Sequence, residues 1–358
     1  RAGAGDLVYV HLSGHGTRQQ DLNGDETDGL DEVFLPADTA RAEPGAGTIP
    51  NALVDDEIGA AVRRIRATGA DVWLVMDSCH SGSGLRASAP RSAARFADPA
   101  VLGVTVRPSQ LAEDRRIEDD GPEPPGGFLA FYAARSSEVA REVEFGDGDW
   151  YGLFTSKLAA RLASAGGLSY RQLFQAVLSD MNDGSVPGVA RLQTPSWEGT
   201  LIDAATFGGT ATKGLRRFAV QGDEVMAGLV HGLGDGTLLA LVADAADPAD
   251  AVIGYAQMED TGATQGFLRP VAEGCEARIA APCPAAGQLP AEALFAQVAA
   301  RPVDLVVRIA PPRALDGDAP LPADAAPVWA LEQAIALFED LVLAVEVAEC
   351  RSALDRVK

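Results

Sequence analysis

The sequence predicts an α/β fold on a largely parallel sheet, followed by a small all-β domain. Three observations carry this. Residues 7–12 and 72–77 are short, apolar, β-branched runs of the kind buried on both faces of a parallel sheet. Residues 55–67 between them have helical periodicity, with Ile58, Ala61, Val62 and Ile65 on one face. After Gly208 and Gly209 the pattern changes to short apolar runs broken by Gly and Asp, with turn signals roughly every ten residues, as in a sandwich or barrel.

Each element has a local reason. The helix opens on Asp55, Asp56 and Glu57 and closes on Arg63, Arg64 and Arg66, matching its dipole, and Gly69 is the stop signal. Strand, helix and strand make a unit whose connection favours parallel pairing. Residues 84–127 hold several Pro and Gly, scattered arginines and an acidic run near Asp119 and Asp120, and read as a long mobile loop. Residues 128–133 form a strand. Residues 150–164 are helical, with Leu153, Phe154, Leu158 and Leu162 on one face. Ser169 and Gln172 make a capping box before a helix bearing Leu173, Phe174, Val177 and Met181. In the β-rich part the apolar runs are 225–230, 238–242 and 252–255, with 303–309 as the last strand. Residues 311–327 are a Pro/Ala/Asp linker, and 329–343 have helical character. The expected organisation is therefore 1–206, 214–312 and 313–358.

Composition narrows the function. The chain has 358 residues, 47% of them hydrophobic and 22% charged, with a net charge of −22. That charge argues against a nucleic-acid partner, because a phosphate backbone needs clustered Lys and Arg. It suits attraction of basic peptides. Lysine occurs only at Lys157, Lys213 and Lys358. No apolar run reaches the roughly 18 residues of a membrane span. Four cysteines do not make a disulfide framework in a chain of this size. Cys275 and Cys283 are close enough in sequence to pair in an oxidising compartment, and Cys350 reads as a small buried apolar residue.

Each of the first two strands ends abruptly in a polar turn that carries a glycine. One turn is Ser13-Gly14-His15-Gly16, the other Asp77-Ser78-Cys79-His80-Ser81-Gly82. Strands finishing side by side would bring an imidazole to a thiol, as nucleophilic thiol catalysis requires. Together with residues 23–32 and Asp55-Asp56-Glu57, these blocks resemble the caspase-like cysteine peptidases, on the metacaspase side. The resemblance covers about the first 205 residues. It implies a caspase-like α/β/α sandwich in which the chain begins after the family's first strand, helix and strand.

It further implies that Cys79 is the nucleophile and His15 the general base and acid. The backbone amides of Gly16 and Cys79 would hold the oxyanion, and Asp77 and Ser13 would line a pocket for Arg or Lys. No third catalytic residue is evident, as in the family's dyad. The substrate would be a peptide or protein with basic residues, and no cofactor would be required. Calcium is left open. The family's ligands would fall on Asp31, Asp55 and Asp56, but Arg86 stands where a further acid is expected, and Asp55 and Asp56 can equally serve the helix N-terminus. The spacing of Asp21, Asn23, Asp25 and Glu32 approaches a calcium loop, but Glu26 replaces its required glycine. A zinc site from His11, His15, Cys79 and His80 is disfavoured, because His11 and His15 lie on a strand and its turn.

The arginines between 86 and 127, Arg86, Arg91, Arg95, Arg107, Arg115 and Arg116, are either solubilising charge or sites of self-cleavage. Two functions stay open. One is a metacaspase-type cysteine endopeptidase, in which Cys79 would alkylate quickly near neutral pH. The other is a catalytically silent caspase-fold scaffold whose β-domain binds a partner of unknown kind.

Overall fold

A computed structural model describes residues 1–302 except 25, 27, 44, 80–91, 107–121, 136–137, 146–147, 165–166, 182–192, 210–215 and 277–281. The strand expected at 303–309, the linker, the last helix and Cys350 lie outside the described residues.

β1 (Leu7–Ser13) leads through Gly14 into β2 (His15–Gln20), which pairs with β3 (Leu30–Leu35), and β3 pairs with β4 (Leu53–Val54). α1 (Asp55–Arg66) follows, and Gly69 breaks the chain direction at φ 87°, a left-handed conformation natural to glycine. β5 (Asp71–Asp77) returns parallel to β1, with Leu7 opposite Asp71 and Ser13 opposite Asp77. Next come β6 (Ser92–Ala94), β7 (Phe128–Tyr132), β8 (Arg141–Glu144) and β9 (Trp150–Gly152). α2 (Leu153–Ser164), α3 (Tyr170–Met181) and β10 (Ser196–Gly199) complete this half. The main sheet has the order β1-β5-β7-β10, parallel except for β10. A second small sheet, β6-β8-β9, is antiparallel.

Alternation along β5 separates two cores. Trp73 and Val75 join Leu129, Phe131, Phe154, Leu158, Tyr170 and Leu173 under α2 and α3. Leu74 and Met76 face the other way, with Ile58 of α1. Helices therefore cover both faces of the sheet, in keeping with a caspase-like fold. Trp73 is fully buried, its ring against Tyr9, Phe131, Tyr170 and Phe207. The capping box is present: Ser169 Oγ accepts from the Gln172 amide at 3.3 Å, and Gln172 Oε1 accepts from the Ser169 amide at 3.1 Å.

Two expectations change. Trp150, Tyr151 and Gly152 do not begin a helix. They pair as β9 with Glu144, Val143 and Glu142, because a hairpin forms from β-favouring aromatics on each side of the turn, and α2 starts only at Leu153. The stretch 84–127 is not one mobile loop in its described parts. Residues 92–94 form β6, Pro99–Leu102 form a 3₁₀ turn capped by the Asp98 carboxylate, and Leu102 and Val104 pack with Val33 and Ile49.

Residues 217–300 form a closed barrel. Its strands are β11 (Arg217–Gln221), β12 (Glu224–Val225), β13 (Leu238–Val242), β14 (Gly254–Glu259), β15 (Gly266–Val271) and β16 (Phe295–Ala300), in the order β11-β12-β15-β14-β13-β16. The apolar run at 225–230 is strand only at its first residue, and Leu229–His231 make a 3₁₀ turn. Val225, Leu239, Leu241, Ala256 and Met258 fill the barrel, and Cys275 and Cys283 are disulfide-bonded. Residues 1–302 form one compact unit. The barrel packs on α3 through Ala176, Val242, Ala245 and Phe295. Arg161 of α2 bridges Asp180 at 2.6 Å and Asp244 at 2.8 Å. The buried Arg217 guanidinium donates to the carbonyls of Asp244, Ala245 and Pro248 and to Gln297 Oε1, which is why a charge is tolerated there. No described helix is long and apolar enough to cross a membrane.

Truncating Trp73 to Ala should cost about 3–5 kcal/mol, the range for emptying a packed aromatic site. Urea unfolding of both proteins measures it.

Candidate functional site

The site grows from the β1–β5 register. Because Ser13 is level with Asp77, the two turns leave the sheet together, His15 two residues beyond one strand and Cys79 two beyond the other. Gly14 N–H donates to the Asp77 carbonyl at 3.1 Å and ties the turns at their base. Gly16 is pressed against the backbone of Cys79. A Cβ there would lie 2.1 Å from the Cys79 carbonyl oxygen, so only glycine allows this approach.

The amide of Gly16 donates to the carbonyl oxygen of Arg95 at 3.0 Å, and the amide of Cys79 donates to the same oxygen at 3.3 Å. Arg95 itself is buried, 7% exposed. Its guanidinium donates to Ser13 Oγ and to the Asp77 carbonyl, each at 2.7 Å, and lies 3.5 Å from Asp77 Oδ2. Gly152 forms a wall of this pocket, where a Cβ would collide with Asp77 Oδ2 and the guanidinium.

Asp77 is fully buried and sits at the start of α2. Its Oδ2 accepts from the Thr155 amide at 3.0 Å and the Thr155 hydroxyl at 2.6 Å, as a helix N-terminus favours an anion. Its Oδ1 is buried without a hydrogen-bond partner. Thr155 Oγ1 also meets His11 Nε2 at 3.0 Å. Burial holds the His11 imidazole below its usual range, against a smaller opposing pull from Asp77. His15 is half-exposed, with Nε2 3.7 Å from Glu142 Oε1, and Glu142 Oε2 is 3.7 Å from Arg95 Nε.

Cys79 is 1% exposed. Its Sγ donates to the Ala140 carbonyl at 3.0 Å, and burial pushes the thiol up to about 12. The sulfur is covered, and the direction of this shift runs against the rapid alkylation expected near neutral pH.

The acids proposed for calcium lie along β3 and at the start of α1. Asp31 is buried beside Gln19 Nε2, whereas Asp56 accepts from Asn23 Nδ2 at 2.7 Å. Burial first, then Asp56, Glu32 and Glu26, pushes Asp55 up to about 7. Among the described residues no group of three or more His, Cys, Asp or Glu is arranged to hold a metal. His80 and Arg86 lie outside the described residues.

The structure thus brings together Ser13, His15, Gly16, Asp77 and Cys79 and adds residues the sequence reading missed. Arg95 was read only as one of six loop arginines. Glu142 sits in the alternating run Arg141-Glu142-Val143-Glu144, Gly152 directly precedes a helix, and Thr155 is in that helix's first turn, where an anion partner is expected.

Residues 1–88, which include both His15 and Cys79, match the family model of the metacaspase peptidase C14 domain. Metacaspase-2 of Arabidopsis thaliana is 42% identical over 79 residues, covering 22% of this chain and 17% of that protein. Metacaspase-1 of the same plant is 42% identical over 82 residues, 23% of this chain and 20% of that one. Metacaspase-1B of Aspergillus terreus is 41% identical over 80 residues, 22% and 19%. The chain therefore spans a fifth or less of the length of these curated relatives. A solved protein from Geobacter sulfurreducens is similar at 22% identity and a TM-score of 0.38, over 59% of this chain and 72% of that one.

A thiol held near 12 should react with iodoacetamide slowly at pH 7 and still be accelerating above pH 10, where an ordinary cysteine, with a pKa of about 8.5, has nearly levelled off. Peptide mapping of Cys79 alkylation against pH checks this. A plateau by about pH 10 would contradict it.

Proposed function

We propose, from the premise that residues 1–88 are a metacaspase-type, caspase-like peptidase segment, that this chain is a cysteine endopeptidase cutting after Arg or Lys. The observation that carries the reading is the convergence of the Gly16 and Cys79 amides on one peptide carbonyl whose own side chain lies against buried Asp77.

Cys79 attacks the substrate carbonyl and His15 takes the thiol proton, then returns it to the departing amine. Water hydrolyses the thioester, with His15 as base. The two amides face the oxygen on which negative charge develops, and each such donor lowers the barrier by about 3–4 kcal/mol. Asp77 selects a basic side chain: its carboxylate is buried, and only a cation recovers the lost hydration through a charge-assisted hydrogen bond. Ser13 adds a neutral acceptor, and Gly152 keeps the slot open. Glu142 stabilises the imidazolium formed by His15 across the 3.7 Å separation.

Thiol and imidazole supply the nucleophile and the proton transfers, so no cofactor enters the chemical step. Calcium, if it acts, does so away from that step, at acids such as Asp55 and Asp56 beside α1. Proteins with basic residues are the substrates, and residues in the stretch 84–127 are candidates for processing by the enzyme itself. The barrel, which packs on α3, stands as an accessory domain that governs access or recruits a partner.

Hydrolysis of an arginyl coumarin amide by the complete protein should vanish in Cys79→Ala. It should fall at least about 100-fold in Asp77→Asn, since the cation then faces no charge. A Cys79→Ala protein as active as wild type would refute the reading. Gly152→Ala should lower kcat/KM for arginyl peptides by a similar factor, because its methyl group fills the slot. Steady-state kinetics on folded variants checks both.

A further inference from the structure

We propose that His11 is a positioning residue for the basic-residue pocket: through the Thr155 hydroxyl it fixes Asp77 and Ser13, the two groups that would receive the substrate's cation. This rests on the peptidase reading above and adds Tyr9, His11 and Thr155 to the residues that set its specificity.

One hydroxyl joins these groups. Thr155 Oγ1 lies 2.6 Å from Asp77 Oδ2, 3.1 Å from Ser13 Oγ and 3.0 Å from His11 Nε2. Ser13 and Asp77 are the acceptors a cation meets at this place. The Arg95 guanidinium marks the position, 2.7 Å from Ser13 Oγ and 3.5 Å from Asp77 Oδ2. The strand supplies the line-up: Tyr9, His11 and Ser13 are alternate residues of β1 and so share one face of the sheet. The first turn of α2 brings Thr155 onto that face.

Proton accounting gives the contacts a direction. A carboxylate only accepts, so the single Thr155 proton goes to Asp77. The Thr155 oxygen then offers only lone pairs, and His11 donates to it from Nε2. Nδ1 is left with a lone pair, to which the Tyr9 hydroxyl donates at 2.8 Å. Burial keeps the proton on the phenol, pushing it up to about 12, and disfavours the imidazolium. The result is a relay from Tyr9 to His11, from His11 to Thr155 and from Thr155 to Asp77. In the opposite tautomer, Nε2 would compete with Asp77 for the Thr155 proton.

The relay starts against the packed core and ends on the carboxylate. The Tyr9 ring rests on Trp73 and Phe207 and meets the His11 imidazole edge to face, with centroids 5.7 Å apart. Each donor in such a chain polarises the next, so the bond that orients Asp77 gains from the two behind it. A hydrogen bond to a charged group is worth roughly tenfold or more. Its loss lets the carboxylate turn from the place where the cation stands. Breaking the relay should therefore weaken selection of a charged side chain over a neutral one of the same shape. Citrulline, which has the outline of arginine without its charge, makes that comparison.

The test uses the full chain and reads selectivity, the ratio of kcat/KM for the coumarin amide of arginine to that of citrulline. Wild type should prefer arginine, and Cys79→Ala should hydrolyse neither amide. His11→Phe and Thr155→Val should each lower the preference about tenfold, Tyr9→Phe should lower it less, and Thr155→Ser should keep it. With Asp77→Asn already in place, adding His11→Phe should change the preference by less than about twofold, because His11 acts through that carboxylate. Tyr9→Phe and Thr155→Ser preserve the packing and carry the test should His11→Phe not fold. Nitrogen-15 spectra of histidine-labelled wild type, with His11 assigned by the signal lost in His11→Phe, should show the Nε2–H tautomer. If His11→Phe and Thr155→Val slow both amides equally, or if His11 carries its proton on Nδ1, the relay is overturned while the peptidase stands. If wild type shows no Cys79-dependent hydrolysis, or prefers neither amide, both readings fall.

Discussion

The parallel pairing of β1 with β5 is the constraint on which the site depends. Its register sets Ser13 beside Asp77, so that two glycine-bearing turns leave the same edge of the sheet at the same height. A slip of one residue would reverse the faces of Trp73 and Leu74 and part the two cores that β5 separates. The two turns therefore inherit their alignment from the burial of β5. The close approach of Gly16 to the Cys79 carbonyl then sets two amides on a common target.

Charge is handled by the same economy. Asp77 has lost all contact with solvent, yet it lies at the first turn of α2, where the Thr155 amide and hydroxyl reach one carboxylate oxygen. The other oxygen has no hydrogen bond. Arg95 brings a cation from within the chain to 3.5 Å from the first. Glu142 lies between the half-exposed imidazole of His15 and the buried guanidinium of Arg95, so occupancy of the pocket and the state of the imidazole are felt by one carboxylate.

Much of this was legible in the sequence where it is local. The apolar run at 72–77 became β5, the periodic stretch at 55–67 became α1, and Ser169 with Gln172 capped α3. The polar turns after β1 and β5 drew attention to His15 and Cys79, and the roles of Ser13, Gly16 and Asp77 came from the resemblance to the caspase-like peptidases. What escaped was non-local. Arg95 meets Ser13 across 82 positions and the Asp77 carbonyl across 18, and its surroundings, Ser-Ala-Ala-Arg-Phe, have no periodicity that announces a strand. Its extended form comes from the edge of β8, not from its own propensity. Trp150 and Tyr151 misled for a related reason: they adjoin a strongly helical run, and their pairing with β8 decides their state.

The central claim is that a thiol at the end of β5 is activated to attack carbonyls that follow a basic side chain. Its most direct measurement is covalent capture of the complete protein with peptidyl acyloxymethyl ketones ending in Arg or in Asp, with the modified residue located by mass spectrometry. The account predicts that the arginyl reagent modifies Cys79, that the aspartyl reagent leaves it free, and that His15→Ala prevents the reaction. Equal capture by both reagents, or arginyl capture undiminished in His15→Ala, would contradict it.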